Sequence, residues 1–158
     1  MDDTREEPAC PATVGCCDQQ TEEFMAEPYP WAVAPVLRVA DVRASVAYYV
    51  DKLGFECAPE GIVDGGGDEG AIYGIVRRGE IAIHLGRKRD EHEIDAGIAP
   101  NALGAYVFVP DVHEIYAEFQ RRGADLVQEP RVQPYGLEDI TVRDLDGYHL
   151  GFGAAPRD

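Results

Sequence analysis

Seventy residues separate two copies of one short pattern. Val39-Ala40-Asp41-Val42 recurs as Val109-Pro110-Asp111-Val112, and Ala47 recurs as Ala117. In each copy an apolar stretch runs into an aspartate placed to cap a helix, because its carboxylate can accept amide protons that the first turn leaves unpaired. Apolar residues then follow at helical spacing, as Val42, Val46, Tyr49, Val50 and Leu53 in the first copy and Ile115, Tyr116 and Phe119 in the second. Gly54 and Gly123 stand where a left-handed residue closes a helix. A supersecondary unit repeated in this way must bury its apolar face on a neighbour, so the chain is expected to fold as a duplicated architecture.

The rest of the pattern fills in around the two helices. Half one spans 33–86. A strand is expected at 33–39, with Pro35 near its start. An extended run follows at Phe55-Glu56-Cys57, and a flexible loop at 61–70, where five glycines and three acids fall together. Strands at 71–77 and 80–85 meet in a turn at Arg78-Gly79. A polar connector covers 87–102. Half two spans 103–154, with strands at 105–109, 125–127, 138–143 and 148–152 and a helix over Val112–Arg122. Asp144-Leu145-Asp146-Gly147 joins the last strand pair. Each half reads β-α-β-β-β, so the fold class is α+β. Tyr48, Tyr49, Tyr116 and Phe119 lie on the helices and are expected in the core.

Charge limits the partners. The formal net charge is −16, and phosphate binding needs clustered Lys and Arg, which argues against nucleic acid. A cationic ligand suits this balance, and so does a merely solvated acidic surface. Residues 1–30 carry eight acids against Arg5 alone, together with four prolines and no periodicity, so they read as a flexible acidic tail on a single domain at 31–158. Tyr29 and Trp31 could pack on the domain edge or on a partner subunit. Cys10, Cys16 and Cys17 lie in that tail without a zinc-binding spacing. Cys57 follows apolar residues and is expected to be a small buried hydrophobe. No apolar run is long enough to span a bilayer, and Met1-Asp2-Asp3 lacks a secretory start; a cytoplasmic location is the expectation.

Three segments carry a resemblance. Pro35–Asp41 leads into Ser45-Val-Ala-Tyr-Tyr49 and Leu53-Gly-Phe55; Ala105–Val112 leads into Ile115–Phe119; Gln133-Pro-Tyr-Gly136 leads to Asp144–Gly147. Together they resemble the vicinal oxygen chelate superfamily of glyoxalases, extradiol dioxygenases and bleomycin-resistance proteins, and the bleomycin-resistance type most. The resemblance implies paired β-α-β-β-β modules forming a U-shaped mixed sheet around a cavity. It also implies a homodimer, often with an exchanged N-terminal strand.

Metal-dependent members place four ligands inward, because a divalent cation needs several N or O donors around an open position. Carried onto this sequence, those positions are Ala34, His84, Gly104 and Gly151, of which only His84 has a donor. His84 thus has three readings: a pocket-lining hydrogen-bonding group, a satisfied core histidine, or a ligand of a displaced site shared with His149 and a carboxylate. No metal, other cofactor or catalytic residue is expected on the first reading.

A cavity without a metal must recognise its ligand by shape, stacking and a few polar groups. Tyr106 and Phe108, two apart on one strand, share a face and are either sheet core or pocket wall. Tyr135 sits in a turn, and the resemblance implies an aromatic stacking surface there. Tyr73, Glu138, His149 and Tyr148 are further candidates. The expected function is binding and sequestration of a small antibiotic-like molecule, cationic and aromatic in character, conferring antibiotic resistance. The alternative is a metal-dependent lyase, isomerase or dioxygenase that uses His84.

Overall fold

The computed structural model describes residues 32–89 and 102–157. Most of the polar connector, the acidic tail and Trp31 lie outside the described residues. All of the described secondary structure falls within Ala34–Asp158.

The first half comprises β1 (Val36–Val39), α1 (Val42–Leu53), β2 (Glu56–Asp64), β3 (Ala71–Arg78) and β4 (Ile81–Arg87). The second comprises β5 (Leu103–Phe108), α2 (Val112–Arg122), β6 (Asp125–Val132), β7 (Glu138–Arg143) and β8 (His149–Ala154). Both helices begin and end as the repeat predicts. Asp41 accepts the Ala44 amide at 3.0 Å, and Asp111 accepts those of His113 and Glu114 at 2.9 and 3.1 Å. Gly54 and Gly123 close the helices with φ of 66° and 69°, a conformation that a Cβ would disfavour.

Each half makes a four-stranded sheet, in the orders β1-β4-β3-β2 and β5-β8-β7-β6. The β1–β4 and β5–β8 pairs are parallel and the others antiparallel. Val36 pairs with His84 and Tyr106 with Gly151. His84 and Gly151 therefore occupy equivalent places in the two halves.

Several boundaries differ from the sequence expectation. β1 starts only at Val36, after Pro35. β2 runs on to Asp64, so Gly61–Asp64 is strand rather than loop. Pairing with β3 holds it extended across a bulge between Cys57 and Ile62. Only Gly65 to Gly70 turn, through a short 3-10 segment at Gly67–Glu69. β6 likewise continues to Val132 because β7 pairs along its length. Cys57 is exposed, not buried: Phe55 and Ala58 take the inward places around it.

One core joins the halves. Tyr49, Leu53, Ile83 and Leu85 pack in the same cluster as Phe119, Ile140, Leu150 and Phe152. Phe119 and Phe152 meet edge to face with ring centroids 5.1 Å apart. The β7–β8 turn fixes the second half to the first. Asp146 accepts the Ala40 amide at 2.7 Å and the Ser45 hydroxyl at 2.6 Å, while the buried Asp144 accepts the Tyr49 hydroxyl at 2.8 Å. Tyr148 is buried as well, donating to the Arg38 carbonyl and accepting its amide. It belongs to this join and not to a ligand pocket.

Glu118 of α2 adds a further tie, bonding Arg78 at 2.7 Å and Arg122 at 2.8 Å. Burial alone would raise its pKa, but the two guanidinium groups outweigh it and hold the carboxyl below its ordinary value. A lowered carboxylate pKa contributes stability above the unfolded value, and that stability is lost as pH falls through the folded value. Glu118→Gln is expected to lower unfolding free energy by about 1–2 kcal/mol at pH 7. Urea titrations across pH should show the difference from wild type shrinking below about pH 4.

Candidate functional site

The second sheet has two unlike faces. Val107, Ile140, Val142, Leu150 and Phe152 point to the core beneath α2. The residues alternating with them line an open groove of about 410 Å³, bordered by Leu103, Gln128, Gln133, Tyr135, His149 and Gly151, with Asp139 among its walls.

Asp139 organises that groove. It is only 4% exposed, yet four side chains donate to it. Gln128 and Gln133 reach Oδ1 at 3.0 and 2.7 Å, Tyr106 reaches Oδ2 at 3.3 Å, and the Tyr135 hydroxyl also bonds Oδ2. All four donors are neutral. Arg131 stands opposite Asp139 in the β6–β7 register, but no ion pair joins them among the described residues. Both phenols titrate above the ordinary tyrosine range. Burial is the main cause at Tyr106, followed by the charge of Asp139; at Tyr135 the hydrogen bond to Asp139 comes first. They therefore stay protonated donors at neutral pH.

Two glycines make room for this arrangement. A Cβ on Gly151 would lie 2.7 Å from the Tyr106 ring, and one on Gly153 only 1.8 Å from its hydroxyl. The Tyr106 ring lies across both. Phe108, on the same face, meets Tyr106 edge to face at 5.3 Å and is 74% exposed. Tyr135, at the tip of the β6–β7 hairpin where Gly136 takes φ of 86°, is 62% exposed. Together these rings offer wide aromatic surfaces beside a buried carboxylate.

The other expected site residues lie elsewhere. Tyr73 and His84 belong to the first sheet, where the Tyr73 hydroxyl and His84 Nδ1 share a 2.7 Å hydrogen bond. Within one chain they do not join Tyr106 and Tyr135. Glu138 alternates with Asp139 and turns instead to α2, bonding His113 Nε2 at 3.1 Å. The pocket-facing acid is its neighbour. The phase was readable, since Ile140 and Val142 are the inward residues of β7 and Asp139 and Thr141 must oppose them.

The four family ligand positions do not assemble a donor set. Ala34 precedes β1 and has no donor. Gly104 falls in a bulge between Leu103 and Ala105, and its Cβ would point at Tyr148 and Leu37. Leu103, not Gly104, therefore borders the groove at that point. Gly151 is overlain by Tyr106. His84 stands on β4 of the first sheet and His149 on β8 of the second. Among the described residues no three His, Cys, Asp or Glu side chains gather as a metal-binding group. This set does not fit a divalent cation.

The sequence model described as the glyoxalase/bleomycin resistance protein/dioxygenase superfamily matches residues 31–152. The chain belongs to that superfamily. No curated protein sequence matches it. Among solved structures, it is similar to the bleomycin-binding protein of bleomycin-producing Streptomyces verticillus, whose structure holds copper(II)-bleomycin. That likeness has 28% identity and a TM-score of 0.60, and covers 83% of this chain and all of the other. A glyoxalase-related enzyme from Clostridium phytofermentans shares the fold at 19% identity and TM-score 0.62, over 82% of this chain and 98% of its own. So does the bleomycin resistance determinant of transposon Tn5, at 18% identity and TM-score 0.60, over 81% of this chain and 100% of its own. No helix among the described residues is long and apolar enough to cross a membrane.

Proposed function

We propose that this protein binds and sequesters a small, flat, positively charged aromatic molecule of antibiotic type, without converting it. The observation that carries this reading is Asp139, a buried carboxylate in an aromatic groove whose partners are all neutral. A buried charge is costly unless compensated, and a cationic ligand would supply the missing counter-charge. Tyr106, Phe108 and Tyr135 supply faces on which a planar ring can stack, each stack contributing on the order of 0.5–1.5 kcal/mol beyond area burial. The Streptomyces verticillus likeness supports a ligand of the bleomycin class, and with it a role in antibiotic resistance. On this reading the working form is a homodimer in the cytoplasm. Binding on this reading does not need the acidic residues 1–30, so a chain without them should keep its ligand affinity.

The test is a thermal-shift and calorimetric screen against bleomycin-type glycopeptides and other DNA-damaging antibiotics. A ligand that saturates the site raises the melting temperature by mass action, by about 2.7 kcal/mol of stability at a hundredfold excess over Kd. Asp139→Asn should weaken a cationic ligand about tenfold while the fold persists, since it removes the charge that the ligand feels through the neutral donors around it. Equal affinity in wild type and Asp139→Asn would end the charge reading. Sedimentation at micromolar concentration checks the dimer.

A second reading has its own support, since a glyoxalase-related enzyme shares the fold and His84 keeps one family donor. It is a lyase, isomerase or dioxygenase with an altered site. Elemental analysis of protein purified without chelator decides between them: stoichiometric Fe, Mn, Ni, Co or Zn that is lost in His84→Ala would favour the enzyme.

A further inference from the structure

A second cavity, of about 550 Å³, opens at the other end of β5 from the Asp139 groove. It lies between the β3–β4 turn, the end of β5 and the first two turns of α2. Its floor is apolar, made by Ile81, Val107, Val109, Ile115 and Phe152, and the exposed Phe108 stands on its border. Its size is within the range of small-molecule sites. An exposed ring at the edge of an apolar hollow rimmed by polar groups marks a binding surface.

The rim is mainly acidic. Glu80, Asp111, Glu114 and Glu118 line it, against Arg78 alone. Arg78 is held by Glu118 at 2.7 Å, and Arg157 reaches over to Asp111. That leaves Glu80 and Glu114, both exposed, with no ion pair among the described residues, Glu114 lying within the field of Arg157. With four acids against Arg78 and Arg157 the rim is net negative, which disfavours an apolar anion. A neutral molecule could fill the hollow but would gain nothing from the two carboxylates.

We infer that this cleft is a second ligand site, for a small amphiphilic cation whose apolar body fills the hollow and whose ammonium group lies between Glu80 and Glu114. Phe108 contributes a ring face to the same cation. The site shares the Phe108 ring, which lies against Tyr106, but no carboxylate with the Asp139 groove, and its existence does not depend on what that groove binds.

The full chain titrated with dansylcadaverine, a fluorescent aryl alkylamine that brightens in apolar surroundings, tests the inference. One saturable phase of micromolar affinity is expected. The double variant Glu80→Gln/Glu114→Gln changes two exposed side chains and should weaken it about tenfold, as expected for losing two nearby charges in high dielectric. Asp139→Asn should leave it unchanged. The anion 1-anilinonaphthalene-8-sulfonate should not displace it. No saturable binding, affinity indifferent to the double variant, or loss in Asp139→Asn would each overturn the assignment, the last by placing the amine in the groove instead.

Discussion

Asp144→Ala is expected to lower the unfolding free energy by about 3–5 kcal/mol, the largest stability loss from any single polar substitution considered for this fold. Asp144 accepts three hydrogen bonds at once: the Tyr49 hydroxyl at 2.8 Å, the Tyr148 amide at 2.8 Å and the Asp146 amide at 3.0 Å. Tyr49 is fully buried, so alanine would strand its hydroxyl without water to replace the lost acceptor. The β7–β8 turn would loosen as well, and with it the contacts of Asp146 to Ala40 and Ser45 that tie the halves together.

Asp144→Asn separates shape from charge. Burial is the main cause that pushes the Asp144 carboxyl above its ordinary pKa, partly opposed by its hydrogen bonds. A raised carboxylate pKa means the ionised form is penalised on folding, so this group's contribution is most favourable below the unfolded value and is lost as pH rises through the folded one. Asparagine keeps the oxygen that accepts two amides and removes the buried charge. It should cost less than about 1.5 kcal/mol at pH 7, as measured by denaturant unfolding. If alanine and asparagine were equally harmful, charge and not geometry would hold the join.

Gly153→Ala should have the largest effect on the groove. Its Cβ would fall 1.8 Å from the Tyr106 hydroxyl, closer than any two atoms can stand. The ring is the movable partner, so it should leave Asp139, which then loses one of four donors. Overpacking and a lost hydrogen bond to a charged group each contribute about 1–3 kcal/mol. The decisive measurement is a double-mutant cycle with Tyr106→Ala. Removing the ring removes the clash, so the double variant should be more stable than the sum of the singles by more than 1 kcal/mol. Additive losses would show that Tyr106 does not occupy the space the two glycines leave. Whatever ligand the groove takes should bind Gly153→Ala more weakly, since its aromatic wall has moved.

Much of this was legible beforehand because its signals are local. The caps at Asp41 and Asp111 and the closing glycines at 54 and 123 set both helices from a few adjacent residues. The β7 and β8 strands were expected within a residue or two at most ends. The misread stretches were those where a distant partner decides. Gly61–Asp64 looks like loop from composition, and only pairing with β3 makes it strand. Glu138 is one of the further sequence candidates, but the phase of β7 turns it toward α2 and puts Asp139 on the groove face. Gly104 stands seven residues before Asp111 as Ala34 stands seven before Asp41, but the bulge between Leu103 and Ala105 shifts the register there.

The amino-acid order alone determined that two β-α-β-β-β units exist and where their helices start and stop. Those properties depend on contacts within a turn or on side-chain chemistry, which a linear chain already specifies. Tertiary structure alone decided that Asp139 gathers two tyrosines and two glutamines, and that Gly151 and Gly153 are small because Tyr106 lies over them. These groups come from four strands, β5, β6, β7 and β8, and from the turn before β7. Whether they meet depends on sheet register and bulges, which are set by pairing energies summed across the whole sheet.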